Sequence, residues 1–423
     1  MSVVLPQSIN YAEGLPSLPD ATVQIPVAAS PVNGSNFTPG SQIQFDLLNR
    51  GFLVPDSMYL AYNGTMAMTA VQTNLIGCPV YTPINRLDVQ VGSQTIDTIQ
   101  NYNNVMHVLS NTTLDIAQKF GQQAAFGYNN NTTADPTTDQ LDSRNFGATA
   151  GTFTWNVAAP LMSVLSNAER LLPLFAMPQV RITLTLDAVA NMFTAPAGVS
   201  AFSLYNVELR YKVVDMGGAV EEMVRSMGDK IYIKSQSFSS SSNTLASGST
   251  GYIELIYNQR YASVKSLIAI NGCVGGNTVN KVFDSVDITS SNGEYSFSVG
   301  GVIYPQKAIS ALVNKAAALQ ELRSALGSIY DRNNSFSISA VEFGYVSGGT
   351  TTAAAPAKFY VGTSVEKLNS DSLLTGISTQ NSPISYRIST GTATAQVHTI
   401  TLIVNYDALF EVDTVNRQTA LKC

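Results

Sequence analysis

The sequence of 423 residues has few charged side chains: only 12% are Asp, Glu, Lys or Arg. An ordinary soluble domain carries roughly 25% charge. The hydrophobic share is an ordinary 45%, so Ser, Thr, Asn, Gln, Gly and Ala take the place of the missing charges. Disordered chains combine low hydrophobicity with high charge, and this composition therefore argues against a disordered protein.

Positive charge is also scarce. Lys and Arg number 23 against 29 Asp and Glu, a net charge of -6, and the sequence contains no block of basic residues. Proteins that bind nucleic acid usually neutralise phosphates with clustered Lys and Arg. The charge balance therefore argues against sequence-specific binding to nucleic acid.

Histidine and cysteine, the usual metal ligands and nucleophiles, number only 2 and 3. The cysteines, Cys78, Cys273 and Cys423, are far apart and form neither a CxxC pair nor a metal-ligand spacing. We expect buried or incidental thiols, with a bond between subunits through Cys423 as the minor alternative. The motifs GxSxG, HExxH, GxxxxGK[ST] and the EF-hand spacing are all missing. We therefore predict that the protein is not an enzyme and has no catalytic, cofactor-binding or metal-binding residues.

Long hydrophobic runs are missing as well. The longest candidate, residues 171–177, is short and is broken by Pro173, whereas a membrane span needs 18 or more residues. The first residues lack the positive start and apolar stretch of a secretory signal. We expect the protein to be made in the cytoplasm.

A few isolated residues could carry chemistry, and each has a structural alternative that we favour. His107 lies in a predicted helix and His398 in a predicted strand, and we expect packing roles for both. Trp155 is expected in a core or an interface.

Four acidic residues are treated in the same way. Asp284 and Asp287 lie close together in a Ser-rich turn region, where a loop or cap role is favoured over acid–base catalysis. Glu221 and its neighbour Glu222 are expected to face solvent.

Alternation of apolar and polar residues is the dominant pattern. Five segments alternate cleanly, at residues 181–186, 206–213, 295–299, 335–339 and 398–402. This period of two predicts half-buried antiparallel strands. The outward positions hold Thr and Ser as often as charges, which favours a surface that another protein covers.

Two segments have helical spacing instead, at residues 97–109 and 308–326. Each follows an alternating strand, a Val-Gly turn and a short second strand. The offset between them is about half the chain, so we interpret the sequence as two copies of one sandwich. Coincidence between two common patterns is the alternative.

The remaining segments are rich in proline, glycine and polar residues. Six prolines within the first forty residues predict an extended arm. Long polar loops are predicted at residues 121–151, 237–251 and 347–356. The predicted organisation is an arm at 1–40, a first sandwich at 41–216, a linker at 217–230, a second sandwich at 231–414 and a C-terminal tail at 415–423.

Several short segments, in this order along the chain, resemble one protein family. They are FDLL (45–48), LVP (53–55), SMYL (57–60), PINRLDV (83–89), LLPL (171–174), IYP (303–305), VGTSVEK (361–367), TGIST (375–379), SPI (382–384) and VNYDALFEV (404–412). The chain resembles the double jelly-roll major capsid proteins of tailless icosahedral DNA viruses. That lineage includes membrane-containing phages, adenovirus-like viruses, polinton-like viruses and virophages.

The resemblance implies an all-β fold of two consecutive eight-stranded antiparallel jelly rolls, with short helices and an extended N-terminal arm. It further implies a structural protein of the virion: a homotrimer that forms a pseudo-hexagonal capsomer and tiles an icosahedral shell by self-association. The implied partners are other copies of the chain, with minor capsid or penton proteins and an inner membrane under the shell as further candidates.

Two other functions stay open. One is a different capsid role, as a minor, vertex or spike protein. The other is a non-viral surface-layer or carbohydrate-binding β-sandwich. Surface-layer proteins share low charge and high Ser and Thr, but they need export. A stable complex of three chains would favour the capsomer over both.

Overall fold

The computed structural model describes most of the chain, and its strands pair into antiparallel sheets in each half. The described residues are 19, 22–69, 71, 73–128, 143–146, 149–274, 283, 285, 293–310, 314–326, 337–338, 343, 358–368, 374–390, 394 and 397–423.

The first half contributes twelve strands and four helices to the described residues. The strands are β1 (Val23–Ala29), β2 (Asn36–Phe37), β3 (Gln42–Asp46), β4 (Phe52–Met68), β5 (Asn74–Ile76), β6 (Ile84–Val91), β7 (Gln94–Ile99), β8 (Ser143–Asn145), β9 (Gly151–Pro160), β10 (Leu172–Pro173), β11 (Val180–Leu186) and β12 (Val199–Asp215). The helices are α1 (Tyr102–Thr113), α2 (Ile116–Gly121), α3 (Gln123–Phe126) and α4 (Val189–Met192).

The second half follows a connecting helix, α5 (Gly218–Ser226). Its strands are β13 (Lys230–Leu245), β14 (Gly251–Tyr257), β15 (Val264–Val274), β16 (Glu294–Val299), β17 (Val302–Ser310), β18 (Val361–Ser364), β19 (Ile384–Thr390), β20 (Val397–Asp413) and β21 (Gln418–Lys422). Its helix is α6 (Lys315–Leu326).

Both halves use one sheet order. Sheet 1 runs β1-β12-β4-β10, with β9 also on β4, and sheet 2 runs β3-β11-β6-β7. Sheet 3 runs β13-β20-β15-β18, and sheet 4 runs β14-β19-β16-β17. In each half the chain alternates between its two sheets, so that the first and last strands become neighbours. This is the jelly-roll arrangement, and it confirms the predicted all-β fold of two consecutive jelly rolls.

Matching hairpins support the two-copy interpretation. The turn between β6 and β7 contains Gly92 with φ 61°, and the turn between β16 and β17 contains Gly300 and Gly301 with φ 58° and 86°. Two-residue hairpins favour such left-handed conformations, which glycine adopts without strain. A helix follows each hairpin in the chain, α1 in the first half and α6 in the second.

Both helices begin later than predicted. Residues 97–99 belong to β7, where Asp97 lies opposite Val89 of β6, and residues 308–310 belong to β17. The apolar spacing at the end of a strand resembles the first turn of a helix. Pairing with a distant strand decides between the two, and the local pattern does not contain that information.

The predicted loop at 237–251 is largely wrong, because β13 continues through the Ser-rich stretch to Leu245. It pairs with β20 without a register shift, from Lys230 opposite Asp413 to Leu245 opposite His398. Within the predicted loop at 121–151, α3 and β8 are ordered elements. Residues 129–142 and the predicted loop at 347–356 lie outside the described residues, as does most of the alternating segment at 335–339.

The predicted arm and tail are partly incorporated into sheets. Within the arm, β1 pairs with β12 from Val23 opposite Asp215 to Ala29 opposite Leu209. Pro26 is tolerated because β1 is the edge strand of sheet 1. In the tail, β21 pairs with the end of β20. Residues 1–18 lie outside the described residues.

The core of the first sandwich contains a close contact between a glycine and the single tryptophan. A Cβ atom on Gly64 of β4 would lie 2.4 Å from two ring carbons of Trp155 on β9. The Trp155 ring also contacts Phe146 and Phe202, at centroid distances of 5.2 Å and 6.1 Å. Only glycine lets the indole lie flat against this strand.

We predict that Gly64→Ala lowers the free energy of unfolding by about 1–3 kcal/mol, because the added methyl group displaces the buried indole. Gly121→Ala is the matched control, since nothing lies within 4 Å of a Cβ at that position. Urea denaturation followed by tryptophan fluorescence measures both. Equal stability of the two variants would contradict the packing argument.

Candidate functional site

The two histidines singled out for chemistry are both buried. His107 is buried on α1, with its ring centroid 5.3 Å from that of Phe283 and its Nε2 atom 3.1 Å from Asn111 Nδ2. His398 begins the buried part of β20, and burial lowers its pKa, which favours the neutral ring at neutral pH.

The remaining candidates are acidic residues. Glu221 and Glu222 lie on α5, a helix without a buried residue. Asp284 and Asp287 lie outside the described residues. Among the residues that the structure describes, no group of three or more His, Cys, Asp or Glu side chains is placed to hold a metal ion. Within the same residues, no helix has the length and hydrophobicity needed to cross a membrane.

The functional feature that sequence reasoning missed is the contact between the two sandwiches, which we call the junction. Its centre is Asp97 on β7, whose side chain is 3% exposed. The carboxylate accepts hydrogen bonds from Ser237 Oγ at 2.8 Å, from Tyr406 OH at 3.0 Å and from the backbone N–H of Val164 at 3.3 Å. Ser237 is on β13 and Tyr406 on β20, so one carboxylate of the first sandwich binds two neighbouring strands of sheet 3.

Serine hydroxyls extend the junction along β13. Ser235 Oγ donates to the carbonyl of Val164, and Ser240 Oγ donates to the carbonyl of Gln100. The backbone takes part too, because Asn167 Nδ2 donates to the carbonyl of Gln236 at 3.1 Å. Serine is small enough to let the two sandwiches approach closely and still satisfies buried carbonyls. The stretch of β13 from Ser235 to Ser240 is therefore covered by the other half of the same chain.

Helix α1 forms a second part of the junction. The Asn111 side chain donates through Nδ2 to Tyr360 OH at 3.4 Å and accepts at Oδ1 from Lys119 Nζ. Its backbone carbonyl accepts from the backbone N–H of Ser337 at 3.1 Å. The bonds to Tyr360 and Ser337 hold a helix of the first sandwich against segments of the second.

A cleft of about 430 Å³ opens where the β6–β7 turn approaches β21. Glu411 lines it and forms ion pairs with Lys230 and Lys422. Hydrogen bonds from these two lysines lower the pKa of Glu411. Since each Glu411 oxygen faces a lysine from the same sheet, the Glu411 carboxylate is already paired within the chain.

The C-terminal Cys423 packs beside the same junction. It is half-buried, and burial together with the nearby Asp97 carboxylate raises its pKa to about 12. Disulfide exchange requires the thiolate. This surrounding therefore disfavours the minor alternative of a bond between subunits through Cys423.

We predict a pH dependence that depends on Asp97. Burial raises its pKa above 3.8, against the opposing hydrogen bonds from Ser237 and Tyr406. The folded protein therefore takes up a proton before the unfolded chain as the pH falls, and its stability rises as the pH falls through the folded pKa. When the pH is lowered from 7 to 4.5, the free energy of unfolding of wild type, measured by urea denaturation, should rise relative to that of Asp97→Asn.

Asp46→Asn on β3 is the matched control. Asp46 has the opposite shift, because Arg181 binds it and lowers its pKa. Its contribution to the free energy of unfolding is therefore lost only in more acidic solution. The difference between wild type and Asp46→Asn should stay constant over the same window. A constant difference for Asp97→Asn as well would contradict the buried-carboxylate interpretation.

Comparison with known proteins gives a clear result for structure and none for sequence. No protein-family model and no curated protein matches the chain. The fold is similar to the Faustovirus major capsid protein, with a TM-score of 0.65 and 9% identity over 96% of this chain and 92% of that chain. It is also similar to VP54 of PBCV-1, with a TM-score of 0.62 and 9% identity over 97% and 98% of the two chains.

The mavirus major capsid protein is a third match, with a TM-score of 0.54 and 11% identity over 100% of this chain and 95% of that chain. At such identities the likeness shows the fold. It confirms the resemblance to double jelly-roll capsid proteins at the level of structure, and it extends over both sandwiches.

Proposed function

We propose that this chain is the major structural protein of an icosahedral viral shell. The observation that carries the proposal is the repeated sheet order: two jelly rolls of the same topology, joined in one chain and fixed to each other through the buried junction at Asp97. The likeness to three major capsid proteins covers nearly the whole of each chain, which supports a shared role for the complete two-sandwich unit.

In this proposal three copies form a homotrimer. Two similar sandwiches in a chain give six around a threefold axis, and such a ring approximates a hexagon, which tiles a surface. Cyclic symmetry requires only that one patch of each chain fits a second patch of the next. Contacts between neighbouring trimers then build the shell.

The low charge supports repeated self-association. A net charge of -6 spread over 423 residues is small, and strongly charged surfaces of one sign repel when they are repeated many times. In this proposal the protein is not an enzyme, and its residues act by packing. Its proposed location is the virion, with minor capsid or penton proteins and an inner membrane as further proposed partners.

Native mass spectrometry and electron microscopy test the proposal. We expect the purified chain to have three times the monomer mass and to form hexagonal blocks, sheets or shells. A protein that stays monomeric at every concentration would overturn the proposed function. A stable trimer without any lattice or shell would favour the vertex or spike role, and binding to immobilised glycans by a monomer would favour the carbohydrate-binding alternative.

Two truncations separate the arm from the fold. Deletion of residues 2–18 leaves β1 in place and should keep the melting temperature within a few degrees, while it impairs shell formation. Deletion of residues 2–39 removes β1, β2 and the buried Phe37, so that it should lower the melting temperature as well. Normal shells from the shorter deletion would contradict a role for the arm in assembly.

A further inference from the structure

Sheet 4 presents an outer face that is only partly polar. On β14, Tyr252 and Ile256 are 65% and 57% exposed, and Ile303 on β17 is 38% exposed. Ile256 lies opposite Ser385, which lies opposite Ser298, which lies opposite Ile303. One row across all four strands is therefore uncharged: its two central serines are buried, and an exposed apolar side chain lies at each end. We call this surface, with Tyr252 and Glu254, the sheet 4 face.

The equivalent surface of the first sandwich is different. The outward positions of sheet 2 hold hydrophilic residues, and Arg181 binds Asp46 through two hydrogen bonds of 2.7 Å and 3.0 Å. Arg86 forms a second ion pair, with Asp88 at 2.8 Å. Two sheets of the same topology thus carry outer faces of different chemistry, although one sequence pattern of alternation produces both.

The edges of the two sheets differ too. The free edge of β3 is covered by the chain itself: the backbone N–H of Val32 donates to the carbonyl of Gln44 at 2.8 Å, and Asn33 binds the backbone of Gln42 and Gln44 at 2.8 Å and 3.0 Å. On β14, the corresponding contact within the described residues is one bond, from Asn243 Nδ2 to the carbonyl of Ile256 at 3.0 Å. An edge strand with exposed apolar side chains is a template for another protein.

One ion pair on the sheet 4 face is matched within the sheet. Arg387 Nε lies 3.0 Å from Glu254 Oε1, and hydrogen bonds from Ser385 and Arg387 lower the pKa of Glu254. This pair adds no net charge to the face at pH 7, and Glu294 is a further exposed carboxylate in the row of Tyr252. A second copy of an acidic chain meets less repulsion from a matched pair than from two unmatched carboxylates.

We propose that the sheet 4 face, including the free edge of β14, binds a second copy of this chain. This inference rests on the proposed function, which supplies many copies of the chain at high local concentration. Four strands about 4.8 Å apart and seven residues long span roughly 450 Å² at most, and the buried outward serines of β16 and β19 expose little of it. A stable pair of proteins buries about 800 Å² on each partner. The face thus forms one part of a larger contact between copies.

Tyr252→Ser combined with Ile256→Ser tests the proposal. Both side chains point away from the sandwich core, so the fold and the melting temperature should be retained. The concentration needed for association should rise at least tenfold, since burial of each side chain contributes more than enough for that factor. Light scattering and electron microscopy over a concentration series measure the change.

Met223→Ser combined with Met227→Ser on α5 is the matched control. These methionines are 59% and 69% exposed, so the control removes a comparable amount of exposed apolar surface elsewhere. We expect it to associate like wild type. Equal association of the Tyr252/Ile256 variant and wild type would overturn this inference and leave the proposed function standing, whereas a wild type that never associates would overturn the proposed function itself.

Hydrogen–deuterium exchange gives a readout without mutation. A peptide covering residues 251–257 should exchange faster in dissociated protein than in assembled protein, because a neighbouring copy covers its outer side. A peptide covering β3, residues 42–46, should show no such difference, since its own chain already covers that edge. Unchanged exchange of residues 251–257 on assembly would overturn the inference.

Discussion

The arrangement of this protein depends on one buried carboxylate that joins two sandwiches. Asp97 belongs to the first jelly roll, and its hydrogen-bond donors Ser237 and Tyr406 belong to the second. A buried carboxylate without donors is costly, so the two sandwiches can enclose Asp97 only in an arrangement that brings both hydroxyls to it. The bonds therefore fix the orientation of the two sandwiches relative to each other. That orientation also sets the directions in which the outer faces of the sheets point.

The low charge of the chain has more than one structural cause. Along β13 it reflects contact within the chain, because Ser235 and Ser240 bind carbonyls of the first sandwich. On sheet 4 it coincides with exposed apolar side chains and a matched ion pair. Sheet 2 retains two ion pairs on its outer face. Composition averages over these surfaces, whereas their separate chemistry decides which of them another protein can cover.

The positions of the strands could be predicted from the sequence more reliably than the residues at which strands and helices begin and end. The alternation at residues 181–186 and 206–213 lies within β11 and β12, and the glycine turns after Val91 and Val299 are the observed hairpins. The helix starts at 97 and 308 were wrong, because long-range pairing extends β7 and β17 further than the local pattern indicates. The Ser-rich stretch of β13 was interpreted as a loop for the same reason: its strand character comes from pairing with β20.

The sequence by itself determined the fold class, since a period of two and glycine-containing turns are local properties that hold wherever the strands finally lie. It also determined the duplication, through the repeated hairpin followed by a helix. Tertiary structure alone decided that Asp97 is buried at a junction, that β13 is covered by its own chain, and that the edge of β3 is closed while that of β14 stays accessible. Those outcomes depend on contacts between residues 69 to 309 positions apart or on the course of one short connection, and no periodicity encodes either.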